Sequence, residues 1–318
     1  MYLVITIDTE EDNWGNFSPN GYTLENINKI PALQELFNEF NVKPTYLLTY
    51  PVATDKTAVS IFKKILKQDK CEIGTHCHPW NTPPYEEKTN ERNSMLCNLP
   101  VDLHFRKLRT LHNVIKKNFD IMPVSFRAGR WGYNKNVAKN IYKLGYKIDT
   151  SIIAYTDWSA SYGPDFSDIL PKPFRFSIKD ISSESSNGEM IEIPATVDYL
   201  YQNFGFSNLI LKLFARSSIK RLRLVGIINR LNLLNKVWLS PENSDSKDMI
   251  KLAKSMKRKK YNLINMFFHS STLKAGLTPF VKTSDDEKQF LQRIREFLIF
   301  ARDEGIESIK LANVTEIM

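Results

Sequence analysis

Cysteine is scarce in this chain of 318 residues, and long apolar runs are missing from it. The three cysteines, Cys71, Cys77 and Cys97, have no paired spacing, which argues against a disulfide framework, and reduced thiols are typical of cytoplasmic proteins. Because no run of about 18 apolar residues occurs, we expect no membrane-spanning helix. The chain begins with an apolar strand and has no basic, apolar leader. We therefore expect a cytoplasmic protein, either free or peripheral on the inner face of the membrane.

Motifs for nucleic-acid binding are also missing, although the net charge is +9. No P-loop, zinc-finger or RNA-binding pattern accompanies the charge, so we expect no nucleic-acid partner. The excess is local, because residues 205–260 contain 14 Lys and Arg against three acidic residues, a net charge of +11 that leaves the rest near −2.

Within 205–260 we predict a basic helical insertion before the last strands. Leu and Ile alternate there with basic residues at helical spacing, namely Lys212, Arg216, Lys220 and Arg223. A basic amphipathic helix can lie on an anionic membrane, which would give peripheral contact. The same pattern also fits a helix packed on the protein with a solvated basic face, and the sequence leaves both interpretations open.

Apolar segments with the length of buried strands alternate with segments of helical periodicity over most of the chain, which predicts a parallel sheet or barrel. The predicted strands are 2–8, 42–49, 71–78, 123–127, 146–149, 190–194 and 263–269. The predicted helices are 24–40, 57–67, 102–118, 134–144 and 285–304. No internal repeat or low-complexity tract interrupts this order.

Potentially reactive side chains fall at the carboxyl ends of these predicted strands. They are Asp8, His76, Arg127, Asp149 and His269. In a parallel barrel all these ends lie on one face, where active sites are found.

His76 and His78 are two residues apart at a strand end, so both imidazoles point to one side and Cys77 to the other. Two imidazoles suit one divalent metal, most simply zinc, which needs a third protein ligand. The first strand offers Asp8 and Glu10 as carboxylate candidates.

Five motifs resemble those of the polysaccharide deacetylase family, and Pro279 with the helix after it resembles the bacterial surface-glycan branch of that family. The five motifs occur in the family's order as Thr6-Ile7-Asp8-Thr9-Glu10, Gly74-Thr75-His76-Cys77-His78-Pro79-Trp80, Phe126-Arg127-Ala128-Gly129-Arg130-Trp131-Gly132, Asp149-Thr150-Ser151 and Phe268-His269-Ser270-Ser271-Thr272. The resemblance implies an α/β fold, a distorted (β/α)7 barrel like the TIM barrel, in one catalytic domain over 1–318. It also implies metal-dependent hydrolysis of an N-acyl or O-acyl group on a sugar of a surface polysaccharide or its precursor.

The resemblance, together with the chemistry that such a hydrolysis requires, predicts roles for individual residues. Asp8 would be the general base and His269 the general acid, with Arg127 orienting Asp8 and Asp149 orienting His269. The metal ligands would be Glu10, His76 and His78. The carbohydrate substrate would contact Arg130, Trp131 and Trp80, and the backbone N–H of Arg130 would serve as an oxyanion donor.

Two other functions fit parts of the sequence. A non-catalytic glycan-binding or assembly module could retain the barrel without the reaction. An amidohydrolase-type enzyme also uses a His-x-His pair, but on its first strand, whereas here the first strand carries acids. The sequence does not indicate an oligomeric state.

Overall fold

The computed structural model describes residues 1–200 and 236–318 of the chain. The basic helix predicted over 208–234, with Lys212, Arg216, Lys220 and Arg223, lies outside the described residues. The described part of the predicted insertion, 236–260, forms a strand and a helix that packs beside the last helix of the barrel.

The described residues form fourteen strands, and seven parallel strands among these make up the framework together with the helices between them. The strands are β1 Tyr2–Thr9, β2 Thr45–Leu48, β3 Glu72–Cys77, β4 Ser125–Ala128, β5 Ile148–Asp149, β6 Thr156–Asp157, β7 Asp165–Phe166, β8 Phe174–Ser177, β9 Asp180–Glu184, β10 Met190–Glu192, β11 Val197–Tyr199, β12 Lys236–Trp238, β13 Leu263–His269 and β14 Glu307–Ser308. The helices are α1 Ile30–Glu39, α2 Tyr50–Thr54, α3 Lys56–Lys67, α4 Val101–Phe119, α5 Lys135–Lys143, α6 Ser246–Arg258 and α7 Ser284–Asp303. Short 3-10 helices include Glu25–Lys29, Gly129–Trp131, Ser270–Leu273 and Leu311–Glu316.

The parallel strands run side by side in the order β13-β1-β2-β3-β4-β5-β10. Their register places reactive residues next to one another, because Asp8 is paired with His269 and His76 with Arg127. The predicted α/β barrel is therefore confirmed, and the register aligns the strand ends that carry the candidate site.

The barrel is distorted where β10 should meet β13. The free edge of β10 pairs instead with the antiparallel strand β8, which continues into β9. The residues after β10 close the barrel against β13. The backbone N–H of Thr196 donates to the carbonyl of Asn265 at 3.2 Å, and the backbone N–H of Asn265 donates to Thr196 Oγ1 at 2.8 Å. Sequence analysis predicted no strands between Asp149 and Met190, where the structure has β6 to β9.

The hydrophobic core lies mainly between the outer face of the strands and the helices. Helix α3 shows the reason, since Ala58, Phe62 and Ile65 recur at helical spacing and are buried, while its lysines face outward. Helix α7 begins with a capping box between Thr283 and Asp286. None of the helices in residues 1–200 and 236–318 has the length and hydropathy that crossing a bilayer requires.

Candidate functional site

A cavity of about 410 Å³ opens at the carboxyl ends of the barrel strands. Its floor contains Asp8, Glu10, His76, His78 and His269, and its walls are largely aromatic. The N-terminal ends of the strands lie at the opposite end of the barrel. The strand-end residues predicted from the sequence, with the exceptions of Arg127 and Asp149, line this cavity directly.

Glu10, His76 and His78 form a compact group in which one ligand atom from each residue lies within 4.8 Å of the others. The Glu10 Oε2 atom is 3.0 Å from His78 Nε2 and 3.8 Å from His76 Nε2. Glu10 and His78 both lie just beyond the ends of β1 and β3. The loops after the strands, together with strand periodicity, therefore bring the three ligand atoms together.

The hydrogen bonding of His76 suits a metal ligand. Its Nδ1 atom lies 3.1 Å from the carbonyl oxygen of Arg127, so this nitrogen carries the proton and leaves the Nε2 lone pair facing Glu10. Burial lowers the pKa of both His76 and His78 to about 4, which keeps the imidazoles neutral. Neutral imidazole is the form that binds metals.

The raised pKa of Glu10 and the close packing of Gly129 against His78 are also compatible with a bound cation. Burial raises the pKa of Glu10 to about 7, partly offset by His269 and His76, so a cation bound beside it would stabilise the charged form of this carboxylate. Gly129 packs against His78, and a Cβ atom at that position would lie 2.2 Å from the His78 Nδ1 atom. Glu10, His76 and His78 thus offer the donor types and the close spacing that one divalent metal requires.

Asp8 is held by a buried arginine. Arg127 Nη1 donates to Asp8 Oδ1 at 2.7 Å, while the same guanidinium also donates to Thr6 Oγ1 at 2.6 Å and to the Thr150 carbonyl at 2.9 Å. Burial by itself would raise the pKa of Asp8, but Arg127, with His76 and His269, lowers it to about 2. Asp8 is therefore ionised at neutral pH, with its second oxygen, Oδ2, facing the cavity.

His269 faces Asp8 across the floor, with its Nε2 atom 3.7 Å from Asp8 Oδ2. Its Nδ1 atom contacts Glu242 Oε2 at 3.1 Å, and the Glu242 carboxylate also accepts from the His269 backbone N–H at 2.9 Å and from Thr272 Oγ1 at 2.6 Å. Burial by itself would lower the pKa of His269, but Glu242, with Glu10 and Asp8, raises it to about 10. His269 is therefore protonated at neutral pH.

Asp149 was predicted to orient His269, and this prediction is wrong. The carboxylate beside His269 belongs to Glu242, which follows β12. Asp149 lies inside the barrel, where it accepts from Ser151 Oγ at 2.7 Å, and burial raises its pKa to about 6. The only sequence signal for Glu242 is an acidic residue a few positions after a short apolar run in a basic segment, and the contact itself depends on the tertiary fold.

The loop after β3, which carries His78 and Trp80, is fixed by a buried lysine that sequence analysis did not single out. Lys107 on α4 donates to the carbonyl oxygens of Pro79, Thr82 and Pro84 at 2.6–3.0 Å. Its charge is paired with Glu87 at 2.9 Å. These contacts hold the His78 end of the site in place from the helix layer.

The predicted sugar contacts Arg130, Trp131 and Trp80 all line the cavity. Trp80 stacks near His78, with ring centroids 4.1 Å apart. Arg130 and Trp131 both adopt left-handed backbone conformations, with φ of 52° and 59°, an uncommon pair that turns this segment back toward the cavity. The Arg130 guanidinium lies over the Phe17 ring at 4.7 Å and donates to Ser94 Oγ at 2.6 Å.

The cavity thus joins three chemical components: a carboxylate fixed as an anion, an imidazole fixed as a cation and a group of metal-ligand atoms. Asp8 and His269 have opposite charges and pKa values far apart, which is the arrangement needed for a base and an acid in one site. Such a site can activate water and protonate a leaving group.

No protein-family model matches the sequence, and no curated protein matches it either. Solved structures match at the level of the fold. A Parabacteroides distasonis protein described as a glycoside hydrolase or deacetylase has a TM-score of 0.59 and 11% identity, covering 96% of this chain and 68% of its own. The Puue allantoinase has a TM-score of 0.54 and 10% sequence identity. A Mycobacterium smegmatis protein assigned to the polysaccharide deacetylases has a TM-score of 0.53 and 12% sequence identity. Each of these two matches covers 99% of this chain and 89% of the other protein. The chain therefore shares the fold of these proteins, a distorted (β/α)7 barrel.

Proposed function

We propose that this protein is a metal-dependent deacylase that hydrolyses an N-acyl or O-acyl group on a sugar of a surface polysaccharide or its precursor. The observation that carries the proposal is one cavity that contains both the metal-ligand group and an acid and base of opposite charge. Its position at the carboxyl ends of the strands is where barrel enzymes carry out their chemistry.

Glu10, His76 and His78 would hold one divalent metal, most simply zinc, because two neutral imidazoles and a carboxylate are a common zinc-hydrolase ligand set. When bound, the metal supplies Lewis-acid polarisation of the acyl carbonyl and makes water at the site more acidic. The remaining chemistry belongs to the side chains around it.

Asp8 acts as the general base. It accepts a proton from water as the water oxygen forms a bond to the acyl carbon, and Arg127 keeps the carboxylate ionised and pointed at the cavity. The buried guanidinium, which makes four hydrogen bonds in all, fixes this direction. The backbone N–H of Arg130 is the proposed donor to the developing oxyanion.

His269 acts as the general acid. It donates its Nε2 proton to the amine nitrogen, or to the alkoxide oxygen of an ester, as the bond from the acyl carbon breaks. An amide nitrogen leaves poorly without this proton. The Glu242 carboxylate holds the imidazole by its Nδ1 atom and supports its protonated form. The products are a free carboxylate and a deacylated sugar.

A carbohydrate substrate fits the walls of the cavity. Trp80, Trp131 and the guanidinium of Arg130 combine flat apolar surfaces with a polar group that can contact hydroxyls. The fold comparison supports the reaction class without specifying the acyl group or the sugar.

The test combines metal analysis with acetate release from acetylated sugars. We expect about one divalent metal per chain in purified protein, and a large loss of metal in His76→Ala and His78→Ala with an unchanged circular dichroism spectrum. His112→Asn, a change to a buried histidine on α4 away from the cavity, is the matched control and should keep its metal.

Full metal content in both histidine variants would refute the ligand assignment. Metal-replete protein that binds acetylated sugars but releases no acetate from N-acetyl or O-acetyl substrates would instead establish a non-catalytic glycan-binding module.

A further inference from the structure

The loop after β1 is an ordered structure that reaches across the mouth of the cavity. Asp12 anchors it, because its backbone forms a bridge with Thr23 and its carboxylate accepts from Thr23 Oγ1 at 2.7 Å and from the backbone N–H of Glu25. Asn13 Nδ2 donates to the carbonyl of Ser18 at 3.2 Å, which ties the loop to itself. Residues 12–23, called the β1 loop below, therefore have a defined shape.

Trp14 is the most exposed aromatic residue of the cavity lining. Its side chain is 41% exposed, although tryptophan is among the most buried residue types on average. Its ring is held edge-to-face against His269, with centroids 4.9 Å apart, and against Phe280, with centroids 5.4 Å apart. The indole thus stands beside the proposed general acid with part of its surface facing the cavity.

Phe17 covers the other side of the same floor. The centroid of its ring is 5.1 Å from that of Trp80, and the Arg130 guanidinium lies over the same ring at 4.7 Å. Gly15, at a left-handed φ of 76°, makes the turn between Trp14 and Phe17. The β1 loop therefore reaches from the end of β13, at His269, to the loop after β3, at Trp80.

The opposite walls are aromatic as well. All five tryptophans of the chain line this one cavity, and three of them come from the segments after β4, after β6 and in β12: Trp131, Trp158 and Trp238. The volume of about 410 Å³ lies near the low end of the roughly 300–1,000 Å³ typical of small-molecule sites. Aromatic walls on both sides and a volume in this range fit a single sugar unit.

We propose that the β1 loop restricts the substrate to a small or chain-terminal acylated sugar, and that Trp14 is the specificity-determining residue on which the sugar ring stacks. The inference rests on the proposed function, which it deepens by naming the part of a glycan that enters. A sugar ring lying against Trp14 would place its acyl substituent between Asp8 and His269, where the floor is polar.

The first experiment tests the pocket by the position of the reaction. An N-acetylated chitopentaose is incubated with the metal-loaded protein, and the deacetylated unit is located by mass spectrometry. We expect deacetylation at one end of the oligomer, and N-acetylglucosamine itself to be turned over. Deacetylation at internal units would overturn the proposal.

The second experiment tests Trp14 by comparing a sugar with an acyl amide that has no ring. Trp14→Ala should lower kcat/KM for N-acetylglucosamine about tenfold, mostly through KM, and leave N-acetylethanolamine nearly unchanged. Trp14→Phe should recover most of the loss. Tyr142→Ala, which removes an exposed aromatic on α5 away from the cavity, is the matched control. Equal losses for both substrates would assign Trp14 a role through His269 and overturn the proposal.

Binding separates failure of this inference from failure of the proposed function. With metal removed by a chelator, the intrinsic fluorescence of the cavity tryptophans reports titration with N-acetylglucosamine and with the pentamer. Similar affinities for both, weakened about tenfold in Trp14→Ala, support the pocket even if no acetate is ever released. A pentamer that binds far more tightly than the monosaccharide indicates an extended groove and refutes it.

Discussion

The two ends of the barrel both bury carboxylates, but they satisfy them in different ways. At the carboxyl ends of the strands, Asp8 and Glu242 face charged partners around a cavity, namely Arg127 and His269. At the other end, Glu72 begins β3 and is 8% exposed. Glu72 accepts hydrogen bonds from Thr45 Oγ1, Ser125 Oγ and the backbone N–H of Ala312, so its direct partners are neutral donors.

The end of the barrel that contains Glu72, called the closed end below, joins elements that are distant in sequence. Thr45 and Ser125 begin β2 and β4, on either side of β3, and Ala312 lies in the 3-10 helix that covers this end of the barrel. The backbone N–H of Leu311 also donates to Thr45 Oγ1 at 3.1 Å. Each oxygen of Glu72 accepts at least one hydrogen bond. We infer that a carboxylate enclosed by neutral donors serves stability, whereas carboxylates paired with charges beside a cavity serve chemistry.

The largest effect is expected at the cavity end. Asp8→Asn removes the proposed base but keeps the shape of the side chain, so kcat should fall about 10²- to 10⁴-fold while the metal stays bound. Steady-state kinetics and metal analysis of the same sample check this. If the variant loses its metal, Asp8 is a ligand and the role of Glu10 must be revised.

The matching change at the closed end should alter stability and not chemistry. Glu72→Ala leaves three donors without their acceptor, and we expect the free energy of unfolding to fall by about 2–4 kcal/mol, as measured by urea denaturation. The kcat of the folded fraction should stay near that of the wild type. A large loss of kcat without a loss of stability would contradict the contrast between the two ends.

Glu72→Gln sharpens this contrast through pH. Burial raises the pKa of Glu72 above its ordinary 4.5, against the hydrogen bonds from Ser125, Ala312 and Thr45. The folded state therefore holds the proton more tightly than the unfolded state, and this contribution to stability is lost as the pH rises from about 4.5 through the raised pKa. Because glutamine does not titrate, the wild type should lose stability relative to the variant as the pH rises above about 4.5, as measured by urea denaturation at a series of pH values.

A smaller effect is expected at Glu242. Glu242→Gln keeps a hydrogen-bond acceptor near His269 Nδ1 but removes the charge that raises the pKa of His269 to about 10. The alkaline limb of the kcat/KM profile should move to lower pH, because the imidazole loses its proton sooner, and kcat at neutral pH should fall about 10-fold. The pH–rate profile checks this, with Asp149→Asn as a comparison, since Asp149 contacts Ser151 and not His269. An equal shift of the alkaline limb in both variants would contradict the assignment to Glu242 and would support Asp149 as the residue that orients His269.

The smallest effect on turnover is expected from the basic segment, which the sequence connects to β12 beside the cavity. Residues 201–235 contain six Lys and Arg and no acidic residue, and Lys or Arg near an anionic surface contributes about 1 kcal/mol each. Charge reversal at Lys212, Arg216, Lys220 and Arg223 should weaken binding to anionic vesicles in low salt and leave turnover of a small acetylated sugar nearly unchanged. Equal vesicle binding by both proteins would favour a solvated basic face.

Most of the barrel could be predicted from the sequence, because apolar strands and amphipathic helices are encoded by local periodicity. The strand β1 was predicted over 2–8 and spans Tyr2–Thr9, and helix α7 was predicted over 285–304 and spans Ser284–Asp303. The short strands β6 to β9 were not predicted, because two- to five-residue segments carry too little periodicity to separate them from loops.

The sequence by itself determined which chemical groups stand at the strand ends, since a parallel strand delivers its last residues to one face of the barrel. Asp8, His76 and His269 follow from that rule. Only the tertiary structure decided their partners. Glu242 reaches His269 from 27 residues away, and Arg127 reaches Asp8 from 119 residues away. The gathering of five tryptophans around one cavity is decided in the same way, because they come from five loops and strands with no common local pattern. Local periodicity fixes the direction of a side chain along its own strand, whereas a contact between distant segments depends on how the whole barrel closes.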